Sequence, residues 1–554
     1  MSTKTEITKV CVDCKEEFII DSGDLTLYEK VGLKIPEWCF FCRTKQYFAF
    51  FVFGKFRKGV SDLSGESLIT VLPSNARYPI YKSHEWWGDG WDAISFGKDY
   101  DPSKPFFDQL RELQEKIPRP HQVGENNTNC DWCDDAWESK NCYLTRSFLK
   151  CENVSYGHRV IEVKDSLDIV YSSNLQNSYD CLFCYSSFNL NFSENSKDCI
   201  ESYFLFDCRN CQNCFMCWNL RNKQYCIRNK QYIKEEYEKE LKNIKLDSYK
   251  NVENLKVEFE DILKQKAVHR ENFNLKTTNS VGNYMTNCDK CVNVFTVDNS
   301  QNCRNSLRGI NMKDCIDQAN SWADEMSGNN SGVTGGYQIK YSSWSDARYS
   351  EYLDMCIECE YCFGCIGLRK KKHCILNKQY AKNEYNELKE KIIQDMENKG
   401  EYGKFLPYSM GLCGYNLSAG RMYFPNISKE EIIRKGGYWS EEDLSSQDGI
   451  SSQELPDSIL DTKPDITLQA LICPESHYRF NISQAEYEFH KNKKFALPRL
   501  HFDQRIFNKM KKMVVLKSYP HKCIYCKNDI MAYYPPEWGY QKIACEECYK
   551  QNIA

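Results

Sequence analysis

Between residues 130 and 374, short β-prone runs such as Tyr203-Phe204-Leu205-Phe206 alternate with polar positions where Asn or Asp precedes a small residue. Asn141-Cys142, Asn153-Val154, Asp165-Ser166 and Asn177-Ser178 follow one another at a 12-residue step, which Asp198-Cys199 with Asn210-Cys211 and Asn302-Cys303 with Asp314-Cys315 repeat. Short strands joined by turns that hold Asn or Asp in the left-handed conformation, with like residues stacked on successive coils, predict a parallel β-helix-like solenoid. Two beats per coil put the expected coil at about 24 residues. A string of small zinc fingers is the competing arrangement.

The pattern is written twice. Cys208, Cys211, Cys214 and Cys217 recur 148 residues on as Cys356, Cys359, Cys362 and Cys365, Cys226 recurs as Cys374, and the Asn-Lys-Gln-Tyr run at 229–232 recurs at 377–380. Upstream, Thr128-Asn129-Cys130-Asp131-Trp132-Cys133 matches Thr286-Asn287-Cys288-Asp289-Lys290-Cys291. Each half closes on a polar amphipathic stretch, 233–241 and 381–388, predicted as helices that cover open sheet edges, their Lys and Glu runs facing solvent. The Ser-, Asp- and Glu-rich segment 440–464 reads as a surface linker.

Both ends of the chain carry paired CxxC knuckles. Cys11 and Cys14 precede Cys39 and Cys42 by a 24-residue spacer, and Cys523 and Cys526 precede Cys545 and Cys548 by an 18-residue spacer. Four thiolates at such spacing reach tetrahedral positions about 2.3 Å from one zinc ion, with a redox dithiol as the alternative. A site closed by four thiolates has no position left for water, so both zinc ions are expected to be structural. Each finger also has a faded copy. Cys11, Cys14, Cys39 and Cys42 fall, 462 residues on, at Cys473, Ser476, His501 and Gln504, and with a two-residue gap the last finger's ligands match Asp62, Gly65, Lys82 and Glu85. Neither copy is expected to hold metal.

Composition narrows the classes. The 554 residues are 41% hydrophobic and 27% charged, with 14% aromatic residues, as in a folded multidomain protein. A net charge of −4 offers no global basic field to a polyanion. No secretory apolar run and no stretch of about 18 apolar residues occurs, which points to the cytoplasm without membrane contact and to thiols or metal thiolates for the 31 cysteines. The central cysteines then read either as a buried inward ladder or as second metal or thiol clusters built from Cys208, Cys211, Cys214, Cys217 and Cys226 and from Cys356, Cys359, Cys362, Cys365 and Cys374. The ferredoxin-like run is one residue short and lacks the following proline, which disfavours iron–sulfur. Beside the first finger, Arg43, Lys45, Tyr47, Lys55, Arg57 and Lys58 could contact nucleic acid, or could belong to a solvated linker.

These features divide the chain into a metallated zinc-ribbon module (1–55), a degenerate one with its connector (56–120), a first cysteine-rich solenoid repeat (121–232), a helical segment (233–275), a second repeat (276–380), a helix and linker (381–465), a degenerate module (466–510) and a C-terminal zinc-ribbon or treble-clef module (511–554). The first finger through Ile35-Pro36-Glu37-Trp38-Cys39, the segment from Trp91-Asp92 to Gln109-Leu110, both Asn-Lys-Gln-Tyr runs, Cys413-Gly414-Tyr415-Asn416 and the last finger together resemble the large cysteine-rich zinc-ribbon proteins of candidate phyla radiation (Patescibacteria) bacteria. The resemblance implies this architecture and no activity. A zinc-binding, non-enzymatic scaffold for a protein or ribonucleoprotein partner, nucleic acid included, is the leading expectation. A thiol-rich redox or metal-binding protein and a β-helix enzyme are the alternatives, the latter lacking evident acid and base pairs among nine histidines and scattered carboxylates.

Overall fold

The computed structural model describes residues 6–441, 448–512 and 515–553. Strand outweighs helix, and the chain divides into two compact units, each joining one end of the sequence to one central half. The first unit takes Met1–Gln122 with Asn272–Ser440, and the second takes Val123–Glu271 with Glu441–Ala554.

Each unit is built on one long ladder of parallel strands in chain order, closed by a short antiparallel strand at the Asn-Lys-Gln-Tyr run. Pairs such as Ile169↔Cys181, Leu190↔Ser202 and Cys214↔Cys226 in the second unit, and Val294↔Ser306 and Leu307↔Ala319 in the first, set the step. Successive rungs are therefore 12 residues apart, as the Asn129 to Asn141 side-chain bond also shows, and not the expected 24. The 12-residue beat is the whole rung, because the chain turns more often than the Asn and Asp positions reveal. Every third residue is left-handed: Asn153, Tyr156, Arg159, Glu162, Asp165, Asp168 and Tyr171 have φ between 48° and 61°. Each such corner costs a non-glycine residue about 1 kcal/mol, offset by the ladder bonds that the corners make possible.

The residue after each corner faces inward. Val154, Val160, Val163, Ser166, Ile169, Ser172, Leu175 and Ser178 are all buried at this spacing. The four inward positions per rung carry mostly small and medium side chains, with Phe148 among them. The serines among them are satisfied in place: Ser166 Oγ donates to the Lys164 carbonyl and accepts the Ser178 N–H at 3.0 Å, and Ser172 does the same for Val170 and Cys184. On the outer side, Asn129, Asn141, Asn153 and Asp165 form a side-chain ladder with bonds of 2.7 to 3.1 Å.

The end modules repeat at an offset of 462 residues. The helices Ser22–Val31 and Phe40–Phe48 return as Gln484–Lys493 and Phe502–Lys511, and the hairpin Arg57–Val60 with Ser67–Thr70 returns as Tyr519–Lys522 with Asp529–Ala532. The shared offset shifts part of the expected match. Ser61 N–H bonds to the Glu66 carbonyl as Cys523 N–H bonds to the Asn528 carbonyl, so Ser61 and Ser64, and not Asp62 and Gly65, stand at Cys523 and Cys526. Lys82 and Glu85 do occupy the places of Cys545 and Cys548, since Lys82 and Cys545 are both helix N-caps.

The segments after each ladder are helical as expected, at Lys234–Lys242 and Lys382–Asn398. The linker reading fails beyond residue 448. Ile450–Ser451 pairs with Leu471–Ile472, and Leu455, Ile459 and Ile466 enter a core with Phe480 and Tyr487; residues 442–447 of that segment lie outside the described residues.

Candidate metal centres

In the first module, a hairpin turn carries Cys11 and Cys14 while the N-terminus of the helix Phe40–Phe48 carries Cys39 and Cys42; the last module repeats the arrangement around Glu546–Asn552. The four sulfurs of each group lie within 4.8 Å of one another. Cys14 and Cys39 Sγ are 3.8 Å apart, and Cys526 and Cys545 Sγ are 3.9 Å apart. Backbone amides point at the sulfurs: Cys39 N–H to Cys11 Sγ at 3.2 Å, and Cys545 N–H to Cys523 Sγ at 3.4 Å. Such donors favour the thiolate form that a metal requires. Hydrogen bonding from the Cys42 thiol draws Cys39 down to about 5, and against the penalty of burial the Cys545, Cys526 and Tyr525 amides hold Cys523 at about 6, while burial pushes Cys14 and Cys545 up and the neighbouring thiols push Cys42 and Cys548 up. Both donor sets fit one tetrahedral metal ion each.

The two copies show what stands in place of the four-cysteine group. At one, the Glu85 carboxylate accepts from the Ser61 hydroxyl and, at 2.9 Å, from the Lys82 amide, so hydrogen bonds tie the turn to the helix. At the other, the His501 ring caps its own helix through the Asp503 amide and packs against Tyr478, Phe480 and Phe502, while Gln504 bonds to Glu475 at 2.9 Å.

One position in these modules was singled out from sequence only at Arg43, and there as a nucleic-acid contact. The residue after the fourth ligand position, in all four modules, starts a helical bond back to the first residue of the second knuckle: Arg43 to Cys39, Trp86 to Lys82, Arg505 to His501 and Tyr549 to Cys545. Three of the four reach a buried aspartate at a left-handed corner of the unit's own ladder. Arg43 pairs with Asp317 at 2.5 Å and bonds to Tyr28 and the Trp38 carbonyl, Arg505 pairs with Asp168 and Glu486, and the Tyr549 hydroxyl donates to Asp207. Nearby, Arg119 and Asp354 form a further buried pair in the first unit. The alignment of Arg43 with Arg505 was legible; their partners were not, because corner aspartates look like turn residues.

The remaining expected site residues fare differently. Arg43 and Tyr47 are 5% and 1% exposed, so these two do not contact nucleic acid; Arg57 bonds to the Leu72 and Pro73 carbonyls, and Lys45 lies beside Glu431, Phe41 and Phe424. Lys58 is exposed and Lys55 is half-buried. The ten central cysteines face inward, and among the described residues none joins a group of three ligand atoms within 4.8 Å of one another. Their thiols instead approach ladder carbonyls, as Cys208 does those of Phe206 and Cys217 at 3.5 and 3.6 Å.

No family model and no curated protein matches this chain. Among solved structures, a protein of Desulfovibrio desulfuricans described as an acetyltransferase aligns over 48% of this chain and 71% of its own at 11% identity, with a TM-score of 0.10. That score carries no argument about fold or activity. No helix among the described residues is long and apolar enough to cross a membrane.

Proposed function

We propose that the protein is a non-enzymatic interaction scaffold of the cytoplasm, in which two structural zinc ions fasten small modules to parallel β-helix-like solenoids. The observation that carries this reading is the direct adjacency of ligand and anchor: Arg43 follows Cys42, and Tyr549 follows Cys548, and both reach buried ladder aspartates. A metal held by four thiolates there supplies folding energy to a module too small to fold alone and keeps its anchor in place. The 12-residue register, the left-handed corners and the inward packing support the solenoid reading.

A protein is the favoured partner, since Arg43 and Tyr47 of the stretch suited to nucleic acid are buried and Lys45 and Arg57 are engaged within their own unit. The solenoid of the first unit offers a surface for it. Tyr349, Tyr361 and His373 stack one rung apart and Tyr337 meets Tyr349 edge-on, with Tyr349 and Tyr361 parallel at 4.8 Å and 38% and 39% exposed. Aromatic rows of this kind give large contact area at low entropic cost. Affinity capture from native cells, with and without nuclease, tests the reading: a protein retained after nuclease and lost on joint Tyr349→Ala and Tyr361→Ala substitution supports it. Release of all bound material by nuclease would refute it.

A further inference from the structure

Each rung has four inward positions, and in one rung of each unit all four are cysteine: Cys208, Cys211, Cys214 and Cys217 in one, Cys356, Cys359, Cys362 and Cys365 in the other. Cys226 pairs with Cys214 on the next rung, and Cys374 with Cys362. All ten are at most 2% exposed. Along each rung the cysteines stand three residues apart, one at each inward position, and the fifth lies one ladder step from the third. Packing alone does not call for such runs. Between Cys315 and Cys356 the inward positions are filled by Gln318, Ser321, Asp324, Ser327, Asn330 and others without sulfur.

No three of these sulfurs converge within 4.8 Å, so a single tetrahedral ion does not fit, whereas a two-coordinate ion asks for only two neighbouring sulfurs. We propose that each five-thiol run binds soft monovalent d10 ions, Cu(I) foremost, every ion bridging two adjacent sulfurs and inner sulfurs shared between ions. Thiolate softness selects Cu(I) over harder cations. The chemistry is proton exchange without electron transfer: five S–H bonds break, five protons leave, and about four ions enter, so a run buries one net negative charge. Unshared two-sulfur sites would bury one charge per ion. A donor for that charge stands at the same end of both runs. Tyr237 and Tyr385, 148 residues apart and 1% and 2% exposed, lie against Tyr225 and His373, the residues before Cys226 and Cys374, and their hydroxyls have no hydrogen-bond partner among the described residues.

The test is anaerobic titration of the reduced, zinc-loaded full chain with Cu(I) supplied as its bicinchoninate complex, with both metals counted after desalting. The expected result is about eight Cu(I) per chain with zinc unchanged, thiolate-to-copper charge-transfer absorption, and loss of about half the capacity on joint Cys208, Cys211, Cys214 and Cys217→Ser substitution. Cys151→Ser, an inward thiol outside the runs, leaves capacity unchanged. If the multiple variant does not fold, the full-length stoichiometry still decides. No copper retained, or copper gained only as zinc is lost, overturns the proposal while leaving the zinc assignment to stand or fall on its own count.

Discussion

Arg43 and Arg505 occupy the same place in two copies of one module, and each is buried against an aspartate of its own unit's ladder. A buried pair adds little net stability over an apolar pair, but removing one partner strands the other charge. Arg43→Met should therefore destabilise the first unit by about 3 to 5 kcal/mol, and adding Asp317→Asn should recover a large part of the loss, as read by urea denaturation. Burial also lowers His490 to about 3 and His269 to about 4, from 6.5. The unfolded chain then binds more protons than the folded one below pH 6.5, so stability contributed by these rings is full above that value and is lost as pH falls toward 4. The second unit should lose on the order of 3 kcal/mol per ring over that window, and His490→Phe should flatten the acid limb of its melting curve. Neither effect is readable from the residues alone, because it depends on which side chains the ladder buries.

At the scale of elements, the knuckle hairpins and their helices are legible from the CxxC spacing and the gapless 462-residue match, down to the caps Asp21 and Ser483 at equivalent positions. Parallel strand pairing in each central half was legible, and its period was misjudged. The ladder's corners carry Tyr156, Arg159, Glu162 and Phe183 as readily as Asn153, so turn chemistry marks only some of them, and its inward positions mix Ser and Gly with Val and Cys, which blurs any apolar stripe. The one-residue error at Asp62 and Gly65 has a similar cause, since a faded site keeps its backbone bonds and loses the side chains that announce it. Backbone identity gives a prediction. Joint Ser476→Cys, His501→Cys and Gln504→Cys substitution beside Cys473 should create a third metal site, raising bound zinc by one per chain with Tm unchanged or higher; unchanged metal content would show that the copies differ in backbone.

Over the whole molecule, among the described residues each unit holds one group of four cysteines whose sulfurs converge, and each such group sits beside its unit's own anchor. Chelation should therefore weaken both units, which scanning calorimetry would show as downward shifts of every transition, and Cys42→Ser should shift only that of the first unit. The division into two units that each join a chain end to a central half was not legible in the sequence, where the modules simply bracket a duplicated centre. It follows from long-range pairs such as Tyr28 with Asp317 and Tyr156 with Glu486. The most direct test of the account is metal counting on protein purified without added metal, joined to X-ray absorption at the zinc edge. The account predicts two zinc ions per chain, each with four sulfur neighbours at about 2.3 Å, falling to one on Cys42→Ser or Cys548→Ser. Zinc below one per chain, or a first shell containing oxygen in place of sulfur, would contradict it.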